Sequence, residues 1–328
     1  MFDRWKSILN EEEDAAKERE KKRESAFQFG IDFLDDALFG IYRGDLVLIG
    51  GQTGVGKTQF ACNLALNAAT QGKKVFYFAL EAEKREIELR LLFQRINTHH
   101  TFSEFIGGLV TKELCEQIQQ ALEIKPDFKS TGDIKIFYKT ENFGPKDLER
   151  ELLSNQIEAD VFIIDHFHFL DHEYSKSEQE EHKKALRLIR DTALSMGKPV
   201  ILLAHMNKAL AKGGSIIPGN YDFYGTADLV NIATKVLTIT GKIPEDLPFT
   251  IDESTSPTII HISKNRMDGS VCRFFALTSF NYKKGNYNKG YYLGAMDNLS
   301  LLKRSDFKFP TWAKKALSYE NRPYKHVE

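Results

Sequence analysis

The sequence predicts an α/β protein: a mostly parallel central sheet flanked by helices, preceded by a helical N-terminal segment. Three observations carry this. Short apolar runs recur at 45–50, 75–80, 134–138, 160–165, 199–204, 234–240 and 258–263, with helical stretches between the first five. Strands that alternate with helices pair in parallel and place the crossover helices on both sheet faces. A glycine-rich turn, "LIGGQTGVGKTQF" (Leu48 to Phe60), joins the first run to the first of these helices. With 328 residues, 42% hydrophobic and 28% charged, the chain is long enough for one large core and has the balance of an ordinary globular protein.

Residues 1–26 are dense in mixed charge, with Glu13/Lys17 and Glu18/Lys22 four apart, and with Phe2, Trp5, Ile8 and Leu9 as a short apolar stripe at helical spacing. A helix that leaves the main domain fits this pattern, and its stripe needs a partner to bury it. The main domain is expected over 27–305 and a tail over 306–328. The first strand ends at Ile49 and its helix runs from Gln59 to Gly72; a further helix is expected over 83–97. The last two apolar runs, with the segment "KNRMDGSVCRFFAL" that follows them, suggest hairpin strands extending the sheet. "KKGNYNKGYYLG" has the composition of a loop.

Gly51, Gly56, Lys57 and Thr58 fit G-x-x-x-x-G-K-[ST], with Gln52, Thr53, Gly54 and Val55 between them and with strand and helix on the required sides. Glycines let the backbone turn with positive φ, so successive N–H groups can face a polyphosphate at the positive end of a helix dipole. Lys57 would then reach the β- and γ-phosphates of a nucleotide, and the Thr58 hydroxyl would ligate Mg²⁺. A bare strand-to-helix turn would not need the Lys-Thr pair.

Carboxylates at strand ends supply the other candidates. "ADVFIIDHFHFLD" is an apolar strand ending in Asp165, beside the crevice where α/β sheets bind ligands, and Asp165 can hold Mg²⁺ through water. His166 and His168 follow it; two histidines at i,i+2 can be metal ligands, but with no cysteine or third histidine nearby in sequence, packed histidines are the simpler expectation. In "VFYFALEAEKREIELRLLF", Glu81 stands where the chain leaves the second strand. It is placed either to polarise a water attacking the γ-phosphate or to favour the dipole of the following helix. "KPVILLAHMNK" ends the fifth strand in His205, on the same rim, where a polar side chain can hydrogen-bond the γ-phosphate and report its loss to the loop 206–224.

A formal net charge of −1 argues against a general basic coat for nucleic acid, while leaving room for a local patch or an assembled channel. Cys62, Cys115 and Cys272 lack C-x-x-C spacing, which speaks against a disulfide framework or zinc site and for a reducing compartment. No apolar run reaches the ~20 residues of a membrane span, and the N-terminus lacks a signal-peptide apolar segment, so a cytoplasmic protein is expected.

From about Phe27 to Tyr282 the ordered set "GIDFLDDALFGIYRGDLVLIGGQTGVGKT", "FALE", "FIIDHFHFL", "VILLAHMNK", "YGTADLVNIATKV" and "ISKNRMDGSVCRFF" resembles the RecA-like motor domain of the DnaB-type hexameric replicative helicases. The resemblance implies a RecA-like P-loop ATPase with ATP and Mg²⁺ as ligands, working as a homo-oligomer, a hexameric ring, on single-stranded DNA with 5′–3′ polarity. It implies Lys57 and Thr58 at phosphate and Mg²⁺, Glu81 as the catalytic glutamate, and Asp165 as the Walker B carboxylate. Lys264 and Arg266 match the K-x-R element inserted into a neighbouring subunit's ATP site. Residues 1–26 resemble the linker helix that docks on an adjacent protomer. His205 and the Asp165-His166 pair are more similar to phage primase-helicases and their mitochondrial relatives. Only about 26 residues precede the motor region, so a loader or primase is expected to be a separate partner. In "ALAKGGSIIPGNYDF" the position of a DNA-gripping basic residue holds Asp222 and Phe223. Lys208 and Lys212, or Tyr282, Tyr287 and Tyr291 with Lys283, Lys284 and Lys289 in "NYKKGNYNKGYY", remain as candidate contacts, although solvated lysines and a surface hairpin are the simpler expectations. The alternative is a ring or filament ATPase of the KaiC and RadA kind that drives a protein partner or recombination without unwinding.

Overall fold

The computed structural model describes residues 2–24, 27–83, 85–95, 100–108, 134–171, 178–206, 218–223, 228–241, 255–267, 274–281, 286–287 and 291–295, and a few positions between 112 and 120. The tail 306–328 lies outside the described residues, as does most of the 206–224 loop, including Lys208 and Lys212.

The N-terminal segment is one helix, α1 (Phe2–Glu24), on which Trp5 and Leu9 are each 62% exposed. Trp5, Ile8 and Leu9 of its apolar stripe are therefore left uncovered by the described residues. The main domain opens with α2 (Asp32–Leu38), whose Phe33, Leu34, Ala37 and Leu38 are buried, and which ends at Phe39 in the left-handed region (φ 57°). Strand β1 (Leu46–Gly51) follows, then α3 (Lys57–Thr70), β2 (Val75–Ala79), α4 (Glu86–Arg95), α5 (Phe102–Ile106), β3 (Ile134–Tyr138), α6 (Pro145–Asn155) and β4 (Val161–Asp165). After β4, a short 3-10 turn (Phe167–Phe169) leads to α7 (Glu178–Met196), β5 (Val200–His205), α8 (Asp228–Ile232) and β6 (Lys235–Thr240).

These six strands form the parallel part of the sheet, in the order β6-β1-β5-β4-β2-β3. Every residue of β1, β2, β4 and β6 is buried, as strands covered on both faces must be. Alternate side chains serve two cores. Val47, Ile49, Tyr77, Ile163, Leu203 and Leu237 face α2 and α3, where Phe60 and Leu64 meet them. Leu48, Phe78, Phe162, Ile164 and Leu202 face α6, α7 and α8, against Leu152, Leu186, Ile189 and Leu229. At the amino ends of β1 and β6 the buried Lys235 ammonium is paired with Asp45, which also accepts from the Tyr42 backbone and the Thr234 hydroxyl. That network fixes the two central strands at the end away from the crevice.

Beyond β6 the sheet continues antiparallel through β7 (Thr255–Asn265), β8 (Phe274–Asn281) and β10 (Tyr291–Ala295), with the two-residue β9 (Asn286–Tyr287) also on β8. The hairpin extension agrees with the sequence, and so does the surface hairpin read over "NYKKGNYNKGYY", where β8 and β9 pair antiparallel; the loop composition of "KKGNYNKGYYLG" does not keep it out of the sheet. Two of its segments pair with β8 because a strand edge offers unpaired N–H and C=O groups to whatever chain lies beside it. Glycine, asparagine and lysine disfavour strands only weakly against that gain, and the register shift between Tyr292 and Gly294 absorbs the misfit. No helix among the described residues is long and apolar enough to cross a membrane.

Candidate active site

Parallel register brings the strand ends into one crevice. Gly51 at the end of β1 stands opposite His205 at the end of β5, and Ala79 at the end of β2 stands opposite Asp165 at the end of β4. Glu81 is two residues past Ala79, with the Leu80 backbone N–H donating to the Asp165 carbonyl at 2.7 Å. The loop from Gly51 to Thr58 closes the crevice from β1. A Cβ at position 51 would lie 2.7 Å from Val55 Cγ1 and 3.0 Å from the Ile239 carbonyl, so this position admits only glycine. Gly54 (φ 80°) and Gly56 (φ 94°) take left-handed conformations, and Gly56 is the N-cap of α3, whose first turn carries no acidic side chain. The positive end of the α3 dipole therefore has no carboxylate of its own to neutralise it.

Lys57 is buried and its Nζ donates to the carbonyls of Gly51 and Gln52, each at 3.0 Å. Burial lowers its pKa to about 8, against the opposing pull of Asp165 and Glu81. Asp165 is 2% exposed, and its Oδ2 accepts from the Tyr77 hydroxyl at 2.6 Å. Oδ1 is buried with no hydrogen-bond partner among the described residues, although the Thr58 hydroxyl lies close enough to favour the ionised form. Burial pushes the Asp165 carboxyl up; Tyr77, Thr58, Lys57 and Arg90 pull the other way. Glu81 is also raised, by partial burial first and by Asp165 and Glu86, with Lys57 opposing.

Four histidines line the rim. His166 Nε2 lies 3.0 Å from Glu81 Oε2, and the His166 ring meets His205 edge-on with centroids 3.9 Å apart. His205 Nδ1 is 3.1 Å from Lys57 Nζ. His168 and His182, from α7, continue the cluster, their centroids 5.3 Å apart. The sequence placed His205 on this rim and paired His166 with His168; that the three share one cluster, with His182 added, is set by the fold. Burial, with neighbouring positive charge, lowers His166 to about 2 and His205 to about 4, so both rings are neutral at pH 7.

Lys264 and Arg266 are not brought to the crevice of their own chain. Their strand β7 runs antiparallel to β6, and the Arg266 N–H donates to the Thr234 carbonyl, just before the amino end of β6. The loop, by contrast, sits level with Ile239. Five residues of strand separate the two levels, roughly 16 Å at about 3.3 Å per residue. Arg266 is exposed, while the Lys264 ammonium donates to the Val230 and Asn231 carbonyls at the end of α8.

Two contacts near the loop were not legible in the sequence. Phe223 is buried on Gly50: a Cβ at Gly50 would lie 2.4 Å from its ring, so the residue read as occupying a DNA-contact position is a core residue under β1. Asp222 is turned inward on its own turn, accepting from the Gly219 N–H at 2.7 Å. Tyr287 packs edge-on against Phe60 of α3 (5.3 Å) and Phe280 (5.2 Å), with its hydroxyl near Gly56, so it belongs to a hairpin packed on α3 and not to a base-stacking display. Tyr282, Lys283, Lys284 and Lys289 lie outside the described residues, and only the backbone of Tyr291 is described.

The family model for the DnaB-like helicase C-terminal domain matches residues 27–274. The chain belongs to that family. The probable plasmid replicative DNA helicase of Chlamydia trachomatis serovar L2 is 24% identical over 249 residues, covering 75% of this chain and 51% of that protein. The chain thus spans about half the length of that curated relative. Among solved structures, the ATPase domain of G40P superposes with a TM-score of 0.69 at 20% identity, over 86% of this chain and 98% of that one. A DnaB-like replicative helicase, described with its interactions with primase, gives 0.66 at 19% identity, over 79% of this chain and 61% of the other. These likenesses show the RecA-like fold that the DnaB-like family shares.

Proposed function

We propose that the chain is the motor of a ring-forming DnaB-like replicative DNA helicase, which hydrolyses ATP at subunit interfaces and translocates on single-stranded DNA. The observation that carries this is a divided site. The loop, Lys57, Glu81, Asp165 and His205 converge on one crevice, while Arg266 stands exposed at the other end of the sheet, out of reach of its own crevice and available to that of another subunit.

The residues fit Mg²⁺: Asp165 Oδ1 is a buried acceptor with no hydrogen-bond partner among the described residues, beside the Thr58 hydroxyl. Mg²⁺ held by Thr58 and Asp165 would neutralise charge on the phosphates. Lys57, drawn from its loop carbonyls, places a positive charge on the transferring phosphate. Glu81 accepts the proton of the attacking water, its raised pKa bringing it nearer that task than an ordinary carboxylate. His205 hydrogen-bonds the γ-phosphate from the end of β5, which leads directly into the 206–224 loop. Arg266, supplied in trans, stabilises the transition-state charge, a contribution on the order of 10³-fold or more in rate. Lys264 serves the same interface once it leaves the end of α8. The stripe on α1 docks on an adjacent protomer and closes the ring as a hexamer, on which a loader or primase can act.

Strand displacement on a forked duplex tests this. With ATP and Mg²⁺, forks carrying a 5′ single-stranded arm should be opened and blunt duplexes left intact. A protein that hydrolyses ATP as a ring yet opens neither is a protein-remodelling or recombination ATPase instead.

A further inference from the structure

His166 follows Asp165 directly in sequence, is 1% exposed, and takes no part in holding phosphate or Mg²⁺ in the reading proposed for the site. Its Nδ1 accepts from the His168 backbone N–H at 3.3 Å, which places the single proton of the neutral ring on Nε2. That N–H sits 3.0 Å from Glu81 Oε2. The ring cannot turn away: His205 meets it edge-on with centroids 3.9 Å apart, and Phe169 does so at 4.7 Å. We propose that His166 is a positioning residue, holding the Glu81 carboxylate toward the crevice with an Nε2–H donor whose tautomer the turn after β4 dictates. This rests on Glu81 being the base that activates water.

Glu81, His166 and His205 also bring one ligand-type atom each within 4.8 Å of one another, as a metal site would. The tautomer argues against it. A metal on His166 Nε2 needs the proton on Nδ1, where the His168 N–H already points, and metal-bound imidazoles turn their second nitrogen to an acceptor, not a donor. The donor–acceptor order is instead continuous: the His205 backbone N–H donates to His168 Nδ1 at 3.4 Å, the His168 N–H to His166 Nδ1, and His166 Nε2 faces Glu81. A shift at the end of β5 therefore reaches the Glu81 carboxylate through three histidines. The Nε2–H is not yet aligned on Oε2, and such bonds tighten as the substrate complex forms.

The test compares His166→Phe, which keeps ring volume and loses the donor, with His166→Gln, whose amide nitrogen replaces Nε2. In the 328-residue chain, His166→Phe should lower kcat for ATP about 10- to 100-fold with KM little changed, as misplacement of a reacting group does. His166→Gln should recover most of the loss. The acid limb of the kcat profile should also move to higher pH in His166→Phe, because a donor to the charged form of Glu81 is gone. The other charged groups facing Glu81 are Lys57 from the loop, Asp165 from β4 and Glu86 from α4; neutral His205 stands behind His166. None of these is altered. If His166→Phe does not fold, His166→Asn, whose amide stops short of the Nε2 position, takes its place and should be slower than His166→Gln. Wild-type kcat and an unmoved acid limb in the donor-less variant overturn the proposal, as does Gln performing no better than Phe or Asn. Glu81→Gln runs alongside: wild-type turnover there overturns the base assignment itself, whereas an inactive Glu81→Gln with a fully active His166→Phe overturns only the role of His166.

Discussion

Replacing Tyr77 by Phe deletes one oxygen from the floor of the candidate site. Tyr77 is fully buried, and its hydroxyl donates to Asp165 Oδ2 at 2.6 Å and lies in hydrogen-bonding reach of Cys62 on α3. Hydrogen bonds to charged groups contribute about 1.5–3 kcal/mol, and a buried acceptor left without its donor costs a similar amount. Asp165 is 2% exposed, so water cannot readily replace the phenol, and the upper half of that range, about 2–3 kcal/mol, is expected. For a domain of this size each kcal/mol moves Tm by about 2–4 °C, so the variant should melt roughly 4–12 °C lower. The sign of the pH dependence follows from Asp165. Its folded pKa is raised, so the ionised carboxylate opposes folding above its ordinary value, and loss of the Tyr77 donor raises it further. The deficit of Tyr77→Phe should then be largest near neutral pH and shrink as the carboxyl protonates on acidification. Calorimetric melts at several pH values read both quantities, and the Mg²⁺ concentration for half-maximal ATP turnover should rise. A Tm within about 1 °C of wild type at every pH would refute the assignment of Tyr77 as the donor that keeps Asp165 ionised.

Arg266→Ala and Lys57→Ala proteins, each expected to be inactive, should recover part of the ATPase when mixed, because some interfaces then combine an intact Lys57 with a neighbour's intact Arg266; no recovery in rings shown by sizing to be mixed counts against a trans role. Deleting residues 1–26 should shift the protein from rings toward monomers and lower turnover while single subunits still bind nucleotide, and a truncated protein with the same elution volume and full ATPase would leave α1 without that role. Since burial lowers Lys57 to about 8, the lysine loses its proton as pH rises through that value, so nucleotide affinity should fall between pH 7 and 9.5 and binding near pH 8 should take up protons. Calorimetry in buffers of different ionisation enthalpy measures this, and a flat affinity would rule out a charged Lys57 as the phosphate contact.

Much of the parallel sheet was legible because buried strands are written as unbroken apolar runs: β1, β2, β4, β5 and β6 fall within one residue of their expected bounds. The crevice residues Glu81, Asp165 and His205 were legible for a related reason, since a polar side chain terminating such a run has to stand at the strand's carboxyl end. What stayed hidden depends on pairs distant in sequence. Tyr77 reads as one more aromatic in "VFYFA" until the register of β2 against β4 sets it beside Asp165. His166 and His168 look like an isolated pair until β5 and α7 deliver His205 and His182. Gly50 has no local reason to be glycine; the reason is Phe223, far along the chain. The surface hairpin over "NYKKGNYNKGYY" was legible and appears as β8 with β9, whereas the edge strand β10 was missed because its composition suits a loop and only the neighbouring β8 makes it a strand.

The steady-state rate of ATP hydrolysis by the 328-residue chain, with and without saturating single-stranded DNA, addresses the motor assignment most directly. Single-stranded DNA should raise turnover several-fold, and Lys57→Ala, folded and assembled, should lose turnover by orders of magnitude under both conditions because the charge on the transferring phosphate is gone. Equal turnover with and without DNA, or wild-type turnover in Lys57→Ala, would contradict an ATP-driven motor on single-stranded DNA built around the Gly51–Thr58 loop.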